Sequence, residues 1–136
     1  MLNILALTLT GTLTGVIWFV QIVHYPLFNL LPEDAFVEYE HKHQQLTSLI
    51  VVPLMILELL ISCYLFIQTP YVWWNIAQII LLSIIWLSTF GIQMQIHHQL
   101  SSEKDPRLIQ YLVRTNWIRT VAWTARCLIF TAVLMQ

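Results

Sequence analysis

Apolar residues run along this chain in four long blocks, separated by short polar or proline-bearing stretches. Ile4 to Val23 carries no charge, Leu46 to Ile67 carries only Glu58, Val72 to Ile96 carries none, and Leu108 to Leu134 carries three arginines. Each block meets the requirement of about 20 mainly apolar residues for crossing a hydrocarbon core about 30 Å thick. Lipid cannot satisfy backbone donors and acceptors, so each crossing is predicted to be an α-helix. The expected fold is all-α, a bundle of four transmembrane helices forming one domain over residues 1–136.

Between the first two blocks, Leu31-Pro32-Glu33-Asp34 has the proline and acidic residues of a helix's first turn. An amphipathic helix is therefore expected to start there and lead into the second span. Pro53 removes one backbone donor from that span and is expected to kink it. Gln68-Thr69-Pro70 should end it, and Ser101 to Pro106 should separate the third span from the fourth. The sequence has no internal repeat, which disfavours a transporter.

Composition agrees with this picture. The chain is 58% hydrophobic and 10% charged, against about 25% charged in a soluble domain. A net charge of −1 offers no basic field for nucleic acid. The first block has no lysine or arginine before it and exceeds the roughly 7–15 apolar residues of a signal-peptide core, so it reads as a retained span. Cys63 and Cys127 form no Cys-x-x-Cys and read as small buried apolar residues.

Four crossings place His24 to Gln45 and Gln99 to Arg107 on one side, with both termini and the Gln68 to Tyr71 turn on the other. Lys42, Lys104 and Arg107 all fall on the first side. The excess of positive charge makes that side cytoplasmic and the termini exterior. Trp73 and Trp74 fall where an interfacial aromatic belt would anchor the third span.

This topology gathers all five histidines at the cytoplasmic ends of the first three spans: His24, then His41 and His43, then His97 and His98. Positions three and four apart share a helix face. Glu40-x-x-His43 thus offers a carboxylate and an imidazole from one face, a spacing used by carboxylate-rich metal bundles. With His24 and His97 at the same level, His24, Glu40, His43 and His97 form a candidate site for iron, zinc or copper. His41 and His98 lie off that face and are expected to stay peripheral. A haem between His24 and His97 is the second cofactor reading. Interfacial histidines reaching water or headgroups are the bland alternative.

Deeper in the bilayer, Gly11, Thr14, Trp18, Gln21 and Tyr25 mark an inward stripe in the first span, and Trp86, Gln93 and His97 mark one in the third. In the fourth, Asn116, Arg119, Trp123 and Arg126 recur at steps of three and four. An arginine facing lipid near the bilayer centre costs at least about 2.5–3.5 kcal/mol, so this stripe should face the bundle. Counted at about 1.5 Å per residue from the span starts, Glu58 and Arg119 lie about 18 and 16 Å deep and should pair. Arg114 and Arg126 lie nearer the interfaces, where they could snorkel. Glu58, Asn116 and Arg119 are the candidate catalytic residues, and Trp18, Gln21, Gln93 and Trp123 the candidate cofactor-binding residues lining the pocket. Trp86 and Trp117 could join that lining, although packing between helices is the commoner use of such tryptophans.

Thr115-Asn116-Trp117-Ile118-Arg119-Thr120, following a first span with small residues, resembles the anthrone-oxygenase-like family of small four-helix membrane proteins. That family has an Asn and an Arg-Thr at similar spacing in its last helix. The segment Tyr25 to Phe28 (Tyr-Pro-Leu-Phe) also looks like that of uncharacterised bacterial membrane proteins. The resemblance implies oxidation of a flat phenolic ring system by O₂, in some members without a recognised cofactor. It carries over to Asn116, Arg119 and Thr120 alone, and the histidine cluster has no counterpart in it. Residues and resemblance together lead to one expectation: a metal-dependent or O₂-using oxidoreductase acting on a small lipophilic, phenolic or quinone-like molecule. The rival class is a non-enzymatic membrane subunit, working with an oligomer mate or partner chain, whose polar residues set helix register.

Overall fold

A computed structural model describes residues 1–135 and contains four long helices: α1 (Leu2–Leu30), α2 (Glu33–Gln68), α3 (Trp73–Leu100) and α4 (Pro106–Leu134). All four are long and apolar enough to cross a membrane, and the chain is a multi-pass membrane protein. The helix expected to lead into the second span is continuous with it. Glu33 and Asp34 occupy the first turn of α2, and the helix runs unbroken through Pro53 to Gln68. At the start of α4, Asp105 accepts a hydrogen bond from the Arg107 amide at 2.7 Å, and Pro106 fills the first helical position, where no amide donor is needed.

Consecutive helices pack side by side, and α4 packs back on α1, which closes an up-down-up-down ring. The interior is layered along the bundle axis. At the histidine-bearing end, Tyr25, Phe28, Phe36, Ile96, Leu100, Ile109 and Leu112 pack together. Leu13, Ile17, Met55, Ile85, Ala122 and Trp123 fill the middle. Ala6, Leu9, Ile61 and Phe130 close the end that carries the termini.

The polarity of this bundle is inverted relative to a water-soluble one. Leu46, Leu49, Ile50, Ile67 and Leu87 are exposed, whereas Gln21, Glu40, Glu58, Gln78, Gln93, Asn116, Arg119 and Arg126 are buried. Outward apolar surface on this scale is solvated by lipid, and the polar side chains satisfy one another inside.

Two wide turns interrupt otherwise regular helices. In α1 the Val20–His24 segment is a π-turn, with the Tyr25 amide donating to the Val20 carbonyl. In α3 the Thr89–Gln93 segment is another, with the Met94 amide donating to the Thr89 carbonyl. Their effect is on facing. Ser88 and Gln93 are both buried although five residues apart, a separation that an α-helix would rotate by about 140°. The wide turn brings both inward. Inward positions in α1 follow at Leu13, Ile17, Gln21 and Tyr25. Steps of four drift by about 40° each in an α-helix, and the extra residue of the π-turn offsets that drift. Both π-turns end beside the polar cluster, where such turns are often found.

Candidate functional site

At the histidine-bearing end, four side chains from four helices form a continuous chain of hydrogen bonds. His97 Nδ1 lies 2.5 Å from Glu40 Oε1. On the other side of the ring, His97 Nε2 lies 2.9 Å from the Tyr25 hydroxyl. Arg119 Nη2 donates to that hydroxyl at 3.3 Å. With a neutral His97 the contacts take one set of protons: Arg119 donates to Tyr25, Tyr25 donates to His97 Nε2, and His97 Nδ1 donates to Glu40. The network thus assigns the Nδ1–H tautomer to a neutral His97. Gln44 Nε2 steadies the carboxylate at 3.1 Å and also reaches the His97 carbonyl and the Ser101 hydroxyl. Glu40 Oε2 is buried with no partner.

A second pair lies alongside. His24 Nε2 and His43 Nδ1 are 2.9 Å apart, and Thr47 Oγ1 is 3.1 Å from the same His43 nitrogen. The His43 ring contacts both histidine neighbours, with centroids 4.5 Å from His24 and 5.4 Å from His97. Phe28 packs edge-on against His24 and His43. His41 and His98 are exposed.

The four residues expected to ligate a metal are therefore gathered in one place, but their donor atoms are turned to one another. His24 and His43 face each other, and both His97 nitrogens are taken by Glu40 and Tyr25. Glu40 and His43, which share a helix face, engage different partners. Among the described residues, no group of three or more His, Cys, Asp or Glu side chains is set to hold a metal ion. His43 lies beside both rings of the haem reading, His24 and His97.

Below the histidines, Arg119 is held rigidly. Its Nε and Nη2 donate to Asn116 Oδ1 at 2.9 and 2.5 Å, and Nη2 also faces Gln93 Oε1 at 3.4 Å. Asn116 Nδ2 in turn donates to Gln21 Oε1, which also accepts from Thr120. Gln93 reaches Thr115. Asn116, Gln21 and Gln93 act on the guanidinium, which is buried and has no carboxylate partner among the described residues. A fixed cation without a counter-charge suits an oxygen that carries or gains negative charge.

Such an oxygen has a place to sit. A cavity of about 60 Å³ is bounded by Tyr25, His43, Thr47 and Arg119 on its polar side and by Leu13, Val16, Ile17, Val20, Val51 and Trp123 on its apolar side. Trp123 is the one tryptophan of the expected lining that reaches it. Trp18 lies on the outer surface, edge-on to Trp117 with its Nε1 donating to Thr124. Trp86 borders a different cavity, between α2 and α3, together with Leu59, Cys63, Ile79, Leu82 and Ser83.

The expected Glu58–Arg119 pair is corrected. Glu58 Oε1 pairs with Arg126 Nη2 at 3.2 Å and accepts from Thr10 at 2.7 Å, while Oε2 accepts from Trp123 Nε1 at 3.1 Å. Arg126 also donates to Ser62 and to the Gln78 carbonyl, and it is fully buried rather than snorkelling. The reason is side-chain direction. Helix side chains tilt toward the N-terminus, so a long arginine in α4 delivers its charge well above its own Cα. Arg126 rises to the level of Glu58, and Arg119 rises to Tyr25.

Tyr25 is the main participant that spacing did not single out as a site residue. It stands four residues after Gln21 on the inward stripe and opens the Tyr25 to Phe28 segment, and neither position marks it as a partner of His97 and Arg119. No known protein family matches the chain, and neither a curated protein nor a solved structure is similar to it.

Proposed function

We propose that the protein is an integral membrane oxidoreductase for a small lipophilic molecule of phenolic or quinone-like type, bound with its oxygen at Arg119. One observation carries this reading: two separate hydrogen-bonded paths leave the same cavity. The first runs from Tyr25 through His97 to Glu40, the second from His43 to His24. Interconverting a hydroquinone and a quinone moves two protons with two electrons, and two outlets from one pocket suit that stoichiometry. In the oxidative direction, His43 takes up one ring proton and Tyr25 the other as it passes its own hydroxyl proton to His97, while Arg119 faces the developing oxyanion. The two electrons pass to O₂, which takes up two protons and leaves as hydrogen peroxide, so the protons given up by the ring are matched by those the peroxide consumes. Asn116, Gln21 and Gln93 position Arg119, and Glu58 positions Trp123.

Protein in lipid nanodiscs, supplied with a short-chain benzoquinol, is expected to consume O₂ and release one peroxide per quinol oxidised. His43→Asn should slow this by about 10²-fold or more, the lower end of what a positioned acid–base group contributes. Absence of turnover, both with quinol plus O₂ and with quinone plus a chemical reductant, overturns the reading. Metal content of the same preparation decides between two uses of His24, Glu40, His43 and His97: ligands of iron, zinc or copper, or the proton carriers their hydrogen bonds describe.

The positive charges Lys42, Lys104 and Arg107 support a cytoplasmic histidine-bearing end and exterior termini. In a variant lacking Cys63 and Cys127, a cysteine at Thr69 should react with an impermeant thiol reagent on intact cells, and one at Ser102 should not. The opposite labelling reverses the orientation.

A further inference from the structure

Size and position constrain how a substrate reaches this cavity. A dry cavity that holds benzene measures about 150 Å³, well over twice the volume of about 60 Å³ found here. Only the oxygen-bearing edge of a ring fits. The remainder of the molecule must lie outside, so the surroundings of the mouth decide what that remainder is. Arg119 and Trp123, both buried, form the floor on α4, while half-buried Val16 and Val20 of α1 and His43, Thr47 and Val51 of α2 form the rim. The opening therefore lies between α1 and α2. Next in sequence to the rim residues Val20, Thr47 and Val51 stand Phe19, Leu46 and Ile50, which are 57%, 62% and 64% exposed. These are apolar side chains on the outer surface of membrane-crossing helices, so the mouth gives onto lipid rather than water.

On this basis we propose that the substrate enters sideways from the bilayer between α1 and α2 and is a tailed ring compound, its oxygen edge against Arg119 and His43 and its hydrocarbon tail left in the lipid. This rests on the oxidoreductase reading and narrows its substrate class to membrane-borne molecules. Polar donors at the floor select an oxygen acceptor, and the apolar rim excludes a charged or hydrated body. A tail remaining in lipid loses no contact with it on binding, whereas a compact water-soluble ring gains little from a mouth that opens onto hydrocarbon.

The test compares two probes in nanodiscs, a benzoquinone bearing a decyl chain and the same ring bearing only methyl groups, each titrated against wild type and rim variants. Val51→Trp plugs the mouth from α2 and Val16→Phe plugs it from α1, so one misfolded variant leaves the other informative. At equal total concentration the decyl quinone is expected to bind wild type at least tenfold more tightly than the methyl quinone, because its tail concentrates the ring in the lipid onto which the mouth opens. Each folded plug should weaken that binding at least tenfold, whereas His97→Gln, behind the cavity, should leave binding within about twofold and slow turnover. Equal binding of the two probes, or plugs without effect in a protein that still turns over quinol, overturns lateral entry alone. No binding of either probe and no turnover removes the oxidoreductase reading as well.

Discussion

Arg126→Gln is expected to destabilise the bundle by about 3–5 kcal/mol, the usual cost of leaving one member of a buried ion pair without its partner. Glu58 is buried with one oxygen on Arg126 and Thr10 and the other on Trp123. Without the guanidinium its charge has only two neutral donors in a low-dielectric interior. Glu58→Gln alone should do similar damage, by stranding Arg126. The double variant should recover a large part of the loss, because two amides can hydrogen-bond where two unpaired charges could not. Thermal unfolding in detergent, followed by circular dichroism for all four proteins, measures the coupling. Strictly additive losses would mean that the pair does not act as a unit. Arg119→Gln belongs in the same series as a contrast, since Arg119 meets amides and a phenol but no carboxylate. Its effect should not couple to Glu58.

Tyr25→Phe should separate catalysis from stability. The ring packs in the layer with Phe28, Phe36 and Ile96, and phenylalanine keeps that packing. What disappears is the hydroxyl between His97 Nε2 and Arg119, and with it one of the two proposed proton outlets. Quinol-dependent O₂ uptake is expected to fall by about 10²–10⁴-fold, the range contributed by a positioned acid–base group. Stability should fall by no more than the roughly 1–3 kcal/mol of a polar group left short of a partner. Tyr39→Phe is the control. Tyr39 packs near His24 and Phe28, but its hydroxyl makes no hydrogen bond among the described residues, so uptake should stay within about twofold of wild type. Equal effects of the two substitutions would remove Tyr25 from the proton path.

The spans were legible because uncharged runs of this length admit little else, and Pro32, Glu33 and Pro70 mark the ends of α2 in ordinary helix chemistry. Convergence of His24, His43 and His97 on one level followed from counting crossings. Their partners did not follow, because donor choice depends on ring rotation, which spacing leaves free. Glu40 turned to His97 rather than joining His43. Arg126 was misplaced because depth was counted along Cα positions, while the charge of an arginine sits about one turn toward the helix start. The inward reading of Trp18 failed for a related reason. Its stripe is correct at Gln21 and Tyr25, but Trp18 lies at the edge of that face, where a large ring turns outward against Trp117. The two π-turns have no sequence mark, since Val20–His24 and Thr89–Gln93 contain nothing that an ordinary helix would refuse.

The layer of Ala6, Leu9, Ile61 and Phe130 has a bearing on energy coupling. It places hydrocarbon between the deepest charged pair and the face that carries the termini, while the histidines at the opposite end lie next to the partly exposed edge of His97. Protons taken up or released by the site therefore come from and return to one compartment. Glu58 and Arg126 together add no net charge to the membrane's field. If the site turns over quinol as proposed, it neither charges the membrane nor draws on its voltage, and its rate should be the same in energised and de-energised vesicles.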